Sequence, residues 1–163
     1  LHKGENIMAT QWTAQGISSG AVLPATTLQS IGAAWESWTP VWTGSTTNPV
    51  IGNGTITGSY ARINKTVIGQ MSIIVGSTTT FGTGTYRISL PFGTMVATNG
   101  AVGYATLLDA SAGYVAYTGL ATQATTSLFE FRIGNAQGQF SSTVPVTLAS
   151  ADQFRFAFIY EAA

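Results

Sequence analysis

The 163-residue sequence predicts an all-β protein, an antiparallel β-sandwich preceded by an extended N-terminal arm. Three observations predict it. Apolar and polar residues alternate at period two through most of the chain after Trp38, Gly-, Asn- and Thr-rich separators interrupt the alternation at short intervals, and no helical period lies between them. Four Trp, six Tyr and eight Phe supply the bulk for a core. A chain of this length can bury roughly 70% of the surface its unfolded form exposes, and one domain is the simplest reading.

The first residues, LHKGENI, look foreign to the rest of the chain. Lys3-Gly4-Glu5 back-translates to a purine-rich run of the kind found in bacterial ribosome-binding sites, so Met8 is the expected natural start, with residues 1–7 an over-extended reading frame or a vector-derived leader. Residues 9–37 differ again. Trp12, Ile17, Val22 and Leu23 are scattered without an amphipathic period, whereas Leu28, Ile31, Ala34 and Trp35 recur at helical spacing. One short helix over Thr26 to Trp38 is expected, started by Pro24 with Thr26 or Thr27. Residues 1–37 therefore read as a leader and anchoring arm. Its apolar residues Trp12, Ile17, Val22, Leu23, Leu28, Ile31 and Trp35 would be buried against the domain itself, a sister subunit or a scaffold.

The β-sandwich domain is expected over 38–163. In QFRFAFIYEA, Phe154, Phe156, Phe158 and Tyr160 point one way and Gln153, Arg155, Ala157, Ile159 and Glu161 the other. SLFEFRIG sets Phe129, Phe131 and Ile133 against Leu128, Glu130 and Arg132, and TYRISLPF sets Tyr86, Ile88, Leu90 and Phe92 against Arg87 and Ser89. Further strands are expected at Val41 to Thr43, Thr55 to Ile63, Thr66 to Val75, Ala101 to Asp109, Tyr114 to Thr122 and Val144 to Leu148. Ile63-Asn64-Lys65-Thr66 is a tight-hairpin candidate. Eight or nine such strands point to a jelly-roll-like sandwich. The charges Arg87, Glu130, Arg132, Arg155 and Glu161 are expected to pair across its outer faces.

Composition narrows the function. Only 7% of residues are charged against 45% hydrophobic, so the surface must be covered largely by Thr, Ser, Asn, Gln and Gly. Six Lys and Arg are spread among six Asp and Glu with no basic run, which argues against a nucleic-acid partner. No apolar run approaches the roughly 18 residues of a membrane span, so membrane insertion is not expected. With so little charge to keep copies apart, a built-in oligomer is expected.

Catalysis finds few candidates. No cysteine is present, which removes thiolate nucleophiles, disulfides and cysteine metal sites, and the single histidine, His2, lies in the doubtful leader. Neither a Ser-His-Asp triad nor a zinc site can be assembled, and no metal or cofactor is expected. Asp109 and Asp152 are the one carboxylate pair that folding could bring together for glycoside hydrolysis, although turn capping is the ordinary task of an Asp placed like Asp152. GNGTITG and FGTGTYR each lead into a strand and lack the full dinucleotide fingerprint. Asn64-Lys65-Thr66 matches a glycosylation pattern by chance.

The stretch WESWTPVWTGSTTNPVIGNGTITGSYARI, followed by GSTTTFGTG and an S-L-P strand, resembles a domain of small bacteriophage virion proteins often labelled tail or minor tail proteins. The matching positions are Trp35, Trp38, Thr39, Pro40, Trp42, Thr43, Gly44, Asn48, Pro49, Gly52, Gly54, Tyr60, Phe81, Gly82, Gly84 and Pro91, and the resemblance extends over about residues 22–163. It implies a jelly-roll-like sandwich on the virion surface, frequently homotrimeric, assembled in the cytoplasm of the bacterial host. It carries no catalytic residue across, and an enzyme is not expected. The resemblance leaves two roles. A tail-associated, host-facing module would contact cell-surface glycan through Thr46, Thr47, Asn48, Asn53, Thr79 and Phe81 in the loops Ser45 to Gly54 and Ser77 to Gly84. A capsid decoration or head-fibre protein would dock on the shell through its arm, which suits a chain little longer than arm plus module. Its partners are then other copies of itself and the tail or shell proteins.

Overall fold

A computed structural model describes residues 34–97, 100–134 and 138–163. Its strands are β1 (Glu36–Trp38), β2 (Trp42–Gly44), β3 (Thr55–Ile63), β4 (Thr66–Ile74), β5 (Tyr86–Ser89), β6 (Ala101–Asp109), β7 (Val115–Thr125), β8 (Leu128–Ile133) and β9 (Gln153–Glu161). Every pairing is antiparallel, in the order β1-β3-β4-β9-β6-β7-β8-β5-β2. The fold is all-β. What was expected as a sandwich takes the form of one continuous sheet curled around its core.

The short stretch between β1 and β2 shows how tightly it curls. β1 and β2 are the two edges of the sheet, yet only Thr39, Pro40 and Val41 separate them in the chain. Four Cα steps span at most about 14 Å, so the two edges must approach within that distance. Because every neighbour is antiparallel, β1 and β2 run in the same direction. They are successive halves of one strand, bonded first to β3 through the Trp38↔Gly58 register and then to β5 through Trp42↔Ile88. Pro40 is buried at the point of change, and a residue without an N–H leaves no donor unpaired where the ladder switches partners. The ladder resumes at once, with the Ser89 amide donating to the Val41 carbonyl at 3.1 Å.

Three expectations are corrected here. Glu36–Trp38 is a strand, so the expected helix does not run to Trp38, and no helix occurs among the described residues. Pro40 disfavours the helical region for Thr39, and β3 offers Glu36 and Trp38 ladder partners instead. The compact unit holding the sheet spans Ala33–Ala163, so Glu36 and Ser37, assigned to the arm, are sheet residues. Val144–Leu148 is not a strand either. It is an irregular segment folded back on itself, with the Leu148 amide donating to the Ser142 carbonyl at 2.9 Å and one bridge between Ser141 and Val144. The hairpin at Asn64 does form: Ile63 pairs with Thr66, and Asn64 takes a φ of 53°.

The core collects the apolar stripes of the strands. Phe154, Phe156, Phe158 and Tyr160 of β9 meet Phe129, Phe131 and Ile133 of β8, with Val67, Met71 and Ile73 of β4 beside them. The Phe129 ring lies 5.1 Å from Phe156 and 4.9 Å from Phe158. Burying each such ring contributes about 1.5–3 kcal/mol before packing is counted. The two tryptophans that flank Thr39-Pro40-Val41 seal the seam from inside: Trp38 sits edge-on to Phe158 at 5.8 Å, and Trp42 edge-on to Tyr86 at 4.9 Å. A Cβ at Gly58 would collide with the Trp38 ring, and one at Gly69 with the Phe158 ring. Glycine at both positions lets these rings lie against the strands.

Candidate functional site

The fold has two ends. At one lie the 63–66 hairpin, the close of β9 and the side toward which the chain enters at Ala34 and Trp35. At the other lie the loops Ser45 to Gly54 and Ser77 to Gly84, which leave β2 and β4 at their far ends.

These two loops are zipped together. Val50 and Thr80 exchange backbone bonds of 2.8 and 2.9 Å, Thr47 bridges to Thr83, and the hydroxyls of that pair meet at 2.8 Å. Asn53 is the clasp. Its Oδ1 accepts from the Thr78 amide and the Thr78 hydroxyl, both at 3.0 Å, its Nδ2 donates to Ser77 Oγ at 3.0 Å, and its own amide donates to Thr78 Oγ1 at 2.9 Å. Asn48 Oδ1 accepts from the Gly44 amide at 3.2 Å, closing the turn after β2. Asn, Ser and Thr recur here because each bonds nearby backbone without a charge. Gly52 and Gly82 turn at φ of 59° and 58°. The loops join the core through Tyr86, whose hydroxyl donates to the Phe81 carbonyl at 2.7 Å and whose ionisation burial pushes up to about 12.

Of the expected loop contacts, Thr46, Thr47, Asn48 and Asn53 are exposed, the last three with their side chains engaged in holding the loops. Thr79 and Phe81 are not outward contacts. Thr79 is half-buried, accepting from the Gly76 amide at 2.9 Å and donating to the Ile51 carbonyl at 2.5 Å, and Phe81 packs against the core. A loop aromatic becomes half-buried when the curl of the sheet offers it an apolar wall, which a local reading of GSTTTFGTG does not reveal. Val50, 60% exposed, is an outward residue that the sequence reading passed over.

Of the arm residues, Trp35 is described and stands 56% exposed. Trp12, Ile17, Val22, Leu23, Leu28 and Ile31 lie outside the described residues. Asp109 and Asp152 are both buried, and both are occupied with backbone. Asp152 accepts from the Ala110 amide at 2.9 Å and the Ala149 amide at 2.8 Å, while Asp109 accepts from the Ser111 hydroxyl at 2.7 Å and the Ala112 amide at 3.1 Å. They fasten the turns after β6 and before β9. Among the described residues the ion pairing foreseen on the outer faces reduces to Arg87 with Glu130 at 3.9 Å; Arg155 bonds Gln153 instead. No three His, Asp or Glu among the described residues are grouped to hold a metal ion.

The structure also assembles Gln70, Tyr104 and Arg155 on the outer face of the sheet. They sit on three different strands, so no spacing in the sequence announces them. No family model, curated protein or solved structure matches this chain.

Proposed function

We propose that this protein is a structural module of a bacteriophage virion surface, tail-associated and host-facing, acting as a homotrimer. The observation that carries the reading is the polarity of the domain. The chain enters toward one end, and the other presents a charge-free, hydroxyl-rich pair of loops locked by their own hydrogen bonds. Preorganised loops on a rigid scaffold lose little entropy on contact, which suits repeated attachment to a surface. The resemblance of the WTPVWTGSTTNP segment to phage tail-type domains supports the same reading, and the low charge favours self-association.

A second reading, a capsid decoration or head-fibre protein held by its arm, is favoured by Trp35. A large apolar side chain more than half exposed where the chain enters the sheet suits an anchoring segment. Gold labelling of purified virions with an antibody against the protein separates the two. Gold at the tail tip is the expected result. Gold spread evenly over the head would establish the second reading instead, and unlabelled virions would overturn both.

A further inference from the structure

The outer face of four consecutive strands, β3, β4, β9 and β6, carries a cleft of about 830 Å³, within the roughly 300–1,000 Å³ usual for small-ligand sites. Strand register explains its shape. One row across β3, β4, β9 and β6 reads Ser59, Gln70, Ala157, Tyr104, and the next reads Thr57, Ser72, Arg155, Thr106. Ala157 is the smallest residue in its row and forms a low floor between Gln70 and Tyr104. Beyond the rows, Ile68 and Ile159 face each other on one side, and Leu108 lines the other. At about 4.8 Å between strands, the four-strand row is about 14 Å long, room for roughly two pyranose rings.

We propose that this cleft binds a neutral oligosaccharide. Tyr104, 64% exposed, offers a flat apolar face with a hydroxyl at its tip, the combination that stacks on a sugar ring while bonding at its edge. The side chains of Thr57, Ser59, Gln70, Ser72 and Thr106 have no hydrogen-bond partner among the described residues. Hydroxyls and amides both donate and accept, as sugar hydroxyls do. Arg155 adds donors at the cleft; one of its N–H groups bonds Gln153 Oε1 at 2.5 Å and the others remain for a ligand. Among the described residues the cleft holds no carboxylate and no second cation, so neither a cationic ligand nor a phosphate chain finds its counter-charges. A protein is the competing occupant, since Tyr104 and Arg155 are residue types that interfaces use as anchors; the row of hydroxyl and amide side chains without partners beside them favours a sugar.

The assignment is independent of the virion reading: it is tested on the isolated chain, whereas that reading is tested on virions. Titration calorimetry of the full chain with maltotriose, cellotriose and chitotriose should detect binding of at least one. Tyr104→Ala and Gln70→Ala should each weaken it by about tenfold or more, while Tyr114→Ala, also more than half exposed but outside the cleft, should leave it unchanged. Circular dichroism establishes that the variants are folded. No binding of any of these sugars at millimolar concentration would overturn the proposal, as would binding that survives Tyr104→Ala or falls equally in Tyr114→Ala. A change of oligomeric mass in Tyr104→Ala without sugar binding would overturn it too, and make the face a protein interface.

Discussion

On β9, Phe154, Phe156, Phe158 and Tyr160 are 3–5% exposed and packed ring on ring, while Arg155, Ala157 and Ile159 between them look outward across small and hydroxylated neighbours. The same alternation holds on β4, where Val67, Met71 and Ile73 face in and Ile68, Gln70 and Ser72 face out. One backbone thus serves two purposes, because a strand's side chains alternate with period two and the two faces share nothing but the ladder. The inner face carries the stability of the fold. The outer face is free to vary, and any contact chemistry placed there adds little to folding free energy.

Phe129→Ala is the strongest way to expose the difference. This fully buried ring touches Phe156, Phe158 and Tyr160, and its removal should cost about 3–5 kcal/mol in a denaturant titration. A loss under about 1 kcal/mol would mean that the aromatic stripe is loosely packed. Tyr160→Phe tests the rim of the core more gently. The hydroxyl donates to the Phe92 carbonyl at 2.6 Å, so its loss should cost about 1 kcal/mol at neutral pH. Burial pushes the phenols of Tyr86 and Tyr160 up to about 12 from 10, so the folded state holds these protons more tightly than the unfolded one. Their contribution is complete below pH 10 and is lost as pH rises through 12. The melting temperature should therefore fall across that window, less steeply in Tyr160→Phe; equal slopes would place the alkaline sensitivity elsewhere. At the small end stands Ser72→Ala on the outer face, expected within about 0.5 kcal/mol of the parent. A larger loss would show that the two faces are energetically coupled.

Much of this was legible from the residues alone. Alternation marked the strands from β3 to β9 closely, and Ile63-Asn64-Lys65-Thr66 marked its hairpin, because both signals are local: side-chain period and the conformational tolerance of Asn. Where local patterns conflicted with distant partners, the reading failed. Glu36–Trp38 follows apolar residues at helical spacing in the sequence, yet it is a strand because β3 lies alongside. Val144–Leu148 has β-branched residues, yet the Leu148 amide bonds the Ser142 carbonyl and the Val144 carbonyl accepts from the Ser141 amide within its own fold-back.

The sequence by itself determined an all-β chain, the aromatic faces of β8 and β9, the neutral surface, and the turns where Asn, Thr and Gly gather. Each derives from composition or from a period of two along a single segment. Only the tertiary structure decided that one strand changes partner at Pro40 to bring the sheet edges together, that Phe81 turns inward, and that Gln70, Tyr104 and Arg155 share a cleft. These depend on register between strands up to about ninety residues apart, and register is set by the packing of the whole core, which no local window of sequence contains.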